Sequence, residues 1–278
     1  MRENEIRDPN RIRPFLEKIA QHWEKCPDLR FGQLVLNTVN DNNLLYNIEE
    51  DDFLKKLDSI FVITEDEADY RGAHDYFSMT IECSRSSIYP SIVRDFYELL
   101  TSQGFRFVSG FWDYTDVSYE NIIKTNQKKL EESYVRPYGT DDLKDDYIQL
   151  LFDYDGNQET RSYICNSPEE DVFTFEIIIP EEDLLSYENG KIHYVESKIN
   201  TLIELAKKIW ELPFVDVVQT FLEYSDIPKT FDELKGGIEA LAVEPFAIIP
   251  NKFDKGFLKT RFDVSDISKD GLLVRTKE

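Results

Sequence analysis

Asp141-Asp142-x-x-Asp145-Asp146 is the run whose spacing comes nearest to a cation site, because two pairs of carboxylates recur at near-helical distance. The same spacing suits a solvated, self-repelling edge, and no histidine or glycine nearby turns the run toward a metal. Asp153-Tyr-Asp155-Gly156-Asn157-Gln-Glu159 alternates hard oxygen ligands as the start of a calcium loop does. It fails at the decisive positions, with Gln158 where an EF-hand needs its glycine and Ile164 where it needs its bidentate glutamate. A hairpin bend through Asp155-Gly156 explains it better. The three histidines, His22, His74 and His193, are far apart, and Asp75 beside His74 in sequence is not an orienting partner in space. Dinucleotide, P-loop, α/β-hydrolase and zincin signatures are absent. The expectation is therefore no catalytic residue, no metal and no cofactor.

Charge is the stronger signal. The net charge is −23, but residues 1–40 and 241–278 are each close to balanced at +1, and the 200 residues between them carry −25. Such a field attracts cationic partners and repels nucleic acid or an anionic membrane. Within it, Trp112, Asp113, Tyr114, Asp116, Tyr119 and Glu120 interleave aromatics with acids, the combination that anchors a cationic partner better than charge alone. With Asp141, Asp142, Asp145 and Asp146 they form the expected partner-binding surface. Two plainer readings stand beside it: acid as a solubility device, and Phe111 and Trp112 as core residues at a strand end.

These residues must be positioned by a folded frame. Hydrophobic residues make up 41% of the 278 and aromatics 13%, enough for a core, so the acid decorates a folded protein. No stretch approaches the apolar length of a membrane span, which predicts a soluble, cytoplasmic protein. Cys26, Cys83 and Cys165 are odd in number and widely spaced, so they read as reduced and mostly buried.

Ile12, Phe15, Leu16, Ile19 and Trp23 recur at helical spacing, a second helix opens near Asp28, and Asn47 with Glu50 predicts the cap of a third. After Leu57 the period changes. Phe77 to Ser84 alternates strictly and predicts a strand with one wet face carrying Ser78, Thr80, Glu82 and Ser84. A helix through Val93, Phe96, Tyr97 and Leu100 stops at Gly104, and strands follow at 105–112, 147–154, 161–165 and 172–179. Ile199 to Trp210 predicts a helix. Phe214 to Tyr224 fits either period and is assigned to a strand by its β-branched content. Thr230 with Glu233 marks a short helix, and 242–249 a last strand. The fold class is α+β: a helical module at 1–57, then an acidic domain at 58–278 with a mixed, largely antiparallel sheet and packed helices. A strand-helix-strand echo suggests two β-α-β halves, about 58–140 and 141–278.

Arg7-Asp8-Pro9-Asn10-Arg11-Ile12, Trp23-Glu-Lys-Cys-Pro27-Asp28-Leu29-Arg30-Phe31-Gly32-Gln33-Leu34 and Glu49-Glu50-Asp51-Asp52 together resemble a family of short uncharacterised bacterial proteins. The resemblance covers about the first 57 residues. It implies a bacterial or phage origin and a compact helical module in which Trp23, Leu29 and Leu34 pack together. The remainder is similar only in its acidic α+β character to immunity proteins of bacterial toxin systems. The expected function is thus an immunity-like or inhibitory protein that masks a basic partner such as a toxin or nuclease. A carboxylate enzyme using a divalent metal and a regulatory module docking through its N-terminal helices are the alternatives.

Overall fold

A computed structural model describes residues 11–23, 31–39, 48–61, 75–136, 146–188, 191–223, 225 and 227–277. The chain divides into two compact units, Met1–His74 and Asp75–Glu278.

The first unit is helical, with α1 at Ile12–Trp23, α2 at Phe31–Thr38 and α3 at Glu50–Phe61. Pro14 falls in the first turn of α1, where its missing amide costs nothing. Ile19, Leu34, Val39, Phe53, Leu54 and Leu57 form the core, with Phe15, Trp23 and Val35 against it. Phe15 meets Phe53 edge-to-face at 5.8 Å between ring centres. Trp23 and Leu34 thus share one cluster, while Leu29 lies outside the described residues. The apolar stripe of α1 is wider than its buried face, because Ile12 and Leu16 stay exposed. Helix α3 starts at Glu50, with the Glu49 carbonyl accepting from the Asp52 and Phe53 amides. Asn47 and Asp28 lie outside the described residues.

The second unit is α+β. Its strands are β1 (Tyr76–Ser84), β2 (Arg106–Gly110), β3 (Leu150–Tyr154), β4 (Asn157–Ser167), β5 (Val172–Pro180), β6 (Leu185–Glu188), β7 (Lys191–Tyr194), β8 (Val215–Leu222), β9 (Phe246–Pro250), β10 (Phe262–Ile267) and β11 (Gly271–Thr276). The helices are α4 (Ile92–Ser102), α5 (Tyr119–Glu131), α6 (Glu196–Trp210), α7 (Phe231–Gly236) and α8 (Lys255–Arg261). Nine strands form one sheet in the order β10-β11-β9-β8-β1-β5-β4-β3-β2, and β6-β7 is a separate hairpin. Every named pairing is antiparallel. Strand β1 lies between β5 and β8, so the two strand-helix-strand echoes interleave in a single sheet.

One face of the sheet carries the main core. Phe77, Met79, Ile81 and Cys83 of β1 pack there with Phe173, Phe175, Ile177 and Ile179 of β5 against α4, α5 and α6. Phe96 stacks on Phe175 at 3.9 Å between ring centres and 10° between planes. The other face holds a second, smaller core in which Val217, Ala247, Ile249, Leu272 and Val274 meet Leu234 of α7 and Leu258 of α8. The expected wet face of β1 is therefore dry. Ser78, Thr80 and Glu82 are all at least nine-tenths buried, and at Glu82 the start of α7 packs over this face through Phe231.

Strand 105–112 is shorter than its alternation suggests, and Trp112–Tyr114 is a 3-10 turn instead. Gly104 ends α4 at φ +101°, with the Phe105 amide donating to the Leu100 carbonyl. Asp155 and Gly156 have φ of 52° and 81°, the left-handed pair that closes a tight hairpin between β3 and β4. Within the ambiguous stretch Val215–Leu222 forms strand β8, and α7 carries the expected Thr230–Glu233 capping box. Helix α5, hairpin β6-β7 and the final α8-β10-β11 segment have no counterpart in the sequence reading.

Candidate functional site: the second face of the central strands

Strict alternation along β1 and β5 puts Thr80, Glu82, Thr174 and Glu176 on one face, with Thr80 opposite Glu176 and Glu82 opposite Thr174. Glu176 is buried and accepts from the Thr80 hydroxyl at 2.7 Å and the Thr174 hydroxyl at 2.6 Å. Two neutral donors cannot replace lost water, so burial pushes its carboxyl up to about 7. Glu82 is buried as well. Its two oxygens accept from the Phe231 amide at 3.0 and 2.9 Å. Burial again dominates and pushes it up to about 7; the Phe231 amide opposes the shift, and repulsion from Asp216, Asp232 and Glu170 adds to it. Carboxylates from β8, α7 and the turn at 168–170 thus all act on Glu82 at this end of the sheet.

Two strands away, Arg161 lies between aromatic faces, 4.6 Å from the Tyr76 ring centre and 4.4 Å from that of Phe111. The Tyr76 hydroxyl donates to Glu159 at 2.7 Å, and Arg161 lies 3.8 Å from the same carboxylate. Burial, more than that contact, raises Tyr76 to about 12. Phe111 therefore braces a guanidinium and is only half-buried.

The residues expected to bind a partner are placed as follows. Asp113 and Asp116 are exposed, and Tyr114 and Tyr119 are half-buried against the main core, with Tyr119 edge-on to Phe107 at 5.2 Å. Trp112 is in the 3-10 turn. Glu120 is held by Arg94 through contacts of 3.2 and 2.6 Å, which keep its carboxyl below the usual range. Asp146 sits 3.7 Å from Arg136, and its carbonyl accepts from Lys129 at 2.5 Å. Asp141, Asp142 and Asp145 lie outside the described residues. Helix α5 connects these two groups, which the sequence reading left without an element between them.

Cys83 is buried, and burial raises its thiol. Cys165 faces the exposed side of β4, yet its thiol is also raised, to about 12, mainly by desolvation. Neither thiol is primed as a nucleophile. Among the described residues no three of His, Cys, Asp and Glu gather in a group that could hold a metal ion, and no helix is long and apolar enough to cross a membrane. Buried Glu82 and Glu176 were legible as strand residues but not as perturbed acids, since nothing local reveals that both faces of their strands are covered. No protein-family model matches the chain, and no curated protein does either.

Proposed function

We propose that this chain is an acidic binding protein of bacterial cytoplasm, immunity-like or inhibitory, which masks a basic surface on another protein. The observation that carries the reading is how the cations are used. Among the described residues Arg94, Arg106, Arg136, Lys198, Lys207 and Lys235 are each held against carboxylates of the same chain. Meanwhile Asp116, Glu169 and Glu170 are exposed, and the net charge stays at −23. Internal pairing thus leaves a surplus of one sign for a partner to neutralise, which favours fast, steered association. The docking surface in this reading includes Asp113 and Asp116 with the rims of Tyr114 and Tyr119, and the likeness of residues 1–57 to short bacterial proteins belongs to the same proposal.

The test is capture from the native cell extract on the immobilised full chain at low salt. A basic protein that is retained and then released by salt supports the reading. Recovery of no basic protein contradicts it.

A further inference from the structure

The second core is closed by a cover formed of α7 and the 3-10 turn Ile238–Ala240, which bring Leu234, Leu241 and Val243 onto β8 and β9. Two side chains from the central sheet hold it. Gln219 of β8 fastens both ends, since its amide donates to the Lys229 carbonyl at 2.8 Å and its oxygen accepts from the Ala242 amide at 3.2 Å. Glu82 of β1 fastens the start of α7 through the Phe231 amide. The first fastening carries no ionisable group, and the second is a buried carboxyl.

We propose that Glu82 is a proton-operated clasp, which keeps this cover closed while protonated and loosens it on ionising. The Phe231 amide favours the ionised carboxyl, but burial and the surrounding acids act the other way and prevail. From β8 comes Asp216, which accepts from the Ser84 amide at 2.9 Å. From α7 comes Asp232, already paired with Lys235 at 2.5 Å. The turn at 168–170 presents Glu170, and Lys229 is directed to Glu233 at 3.4 Å. On the neighbouring strand Glu176 is engaged by Thr80 and Thr174. Among the described residues no cation pairs with Glu82, so burial and repulsion hold its carboxyl at about 7 with the cover closed. With the cover open, water restores the ordinary value of 4.5. Opening therefore releases a proton, and the opening equilibrium rises with pH between those two values and levels off above the higher one. A neutral carboxyl still offers its carbonyl oxygen to the Phe231 amide, so the closed geometry survives protonation. Opening uncovers Leu234, Leu241 and Val243, an apolar strip beside the acidic end of the sheet.

Hydrogen exchange on the full chain reads this directly, with rates corrected for the intrinsic pH dependence of exchange. Amides of residues 231–243 are expected to lose protection by about 30-fold between about pH 5.5 and pH 8. Glu82→Gln, which keeps an acceptor for Phe231 but cannot ionise, should flatten that response. Glu176→Gln should leave it in place, because Glu176 makes no contact with the cover. Glu170→Gln, an exposed change, should move the rise to lower pH by removing one repulsive neighbour. Protection at 231–243 that does not vary with pH, or a variation that persists in Glu82→Gln, overturns the proposal. If Glu82→Gln does not fold, an unmoved profile in Glu170→Gln overturns it.

Discussion

At Glu176 the chain buries a carboxyl against two threonine hydroxyls, and stability must carry the mark of it. Its folded value of about 7 lies above the ordinary 4.5, so the folded state binds the extra proton. The contribution is fully present below the ordinary value and is lost as pH rises through about 7. Glu176→Gln should therefore leave stability near wild type at about pH 5 and raise it by up to about 3 kcal/mol at about pH 8, measured by urea unfolding. Phe175 gives the opposite case. It is fully buried and stacked on Phe96, so Phe175→Ala should cost about 3–5 kcal/mol by the same measurement. The strand that carries Phe175 was legible in the sequence because the dense apolar run at 172–179 is a local signal. The perturbed acids were not, because desolvation depends on what strands β4 and β8 and helix α7 place over them.

Among the elements, α5 shows where local reading stops. Its inward face runs Ile122, Ile123, Asn126, Gln127 and Leu130, and the two polar members break the apolar period that would have marked a helix. Each has a task set by another segment. Asn126 donates to the Ile148 carbonyl at 2.8 Å and accepts from the Ile148 amide at 2.9 Å, so a side chain completes the backbone pairing ahead of β3. Gln127 accepts from the Val93 amide at 3.1 Å and caps α4, whose own Ser91 makes no side-chain cap bond. Asn126→Ala leaves two buried backbone groups without partners and should cost about 2–3 kcal/mol in thermal or chemical unfolding. Capping within one segment was readable, as Thr230 and Glu233 show. Thr230→Ala should cost about 1 kcal/mol and weaken hydrogen-exchange protection in α7 first. The alternation of β1 was also legible, but the covering of its expected wet face was not, since α7, which packs over Glu82, lies 149 residues away in sequence.

For the whole molecule, the α+β class follows from patterns that are local, whereas the strand order joins segments more than a hundred residues apart and leaves no local trace. The uneven charge was plain in the sequence, yet its use was not. Ion pairs such as Arg94 with Glu120 and Arg136 with Asp146 withdraw two of the expected docking acids, while Asp116 remains exposed. Replacing Asp116 by lysine should slow association with a basic partner by about threefold at low salt and leave unfolding unchanged. The most direct measurement of the central claim is the association rate of the captured basic protein with the full chain as ionic strength is raised. The rate is expected to fall by at least about tenfold between roughly 20 mM and 500 mM salt, with the dissociation rate changing far less. A rate that does not respond to salt would contradict the account.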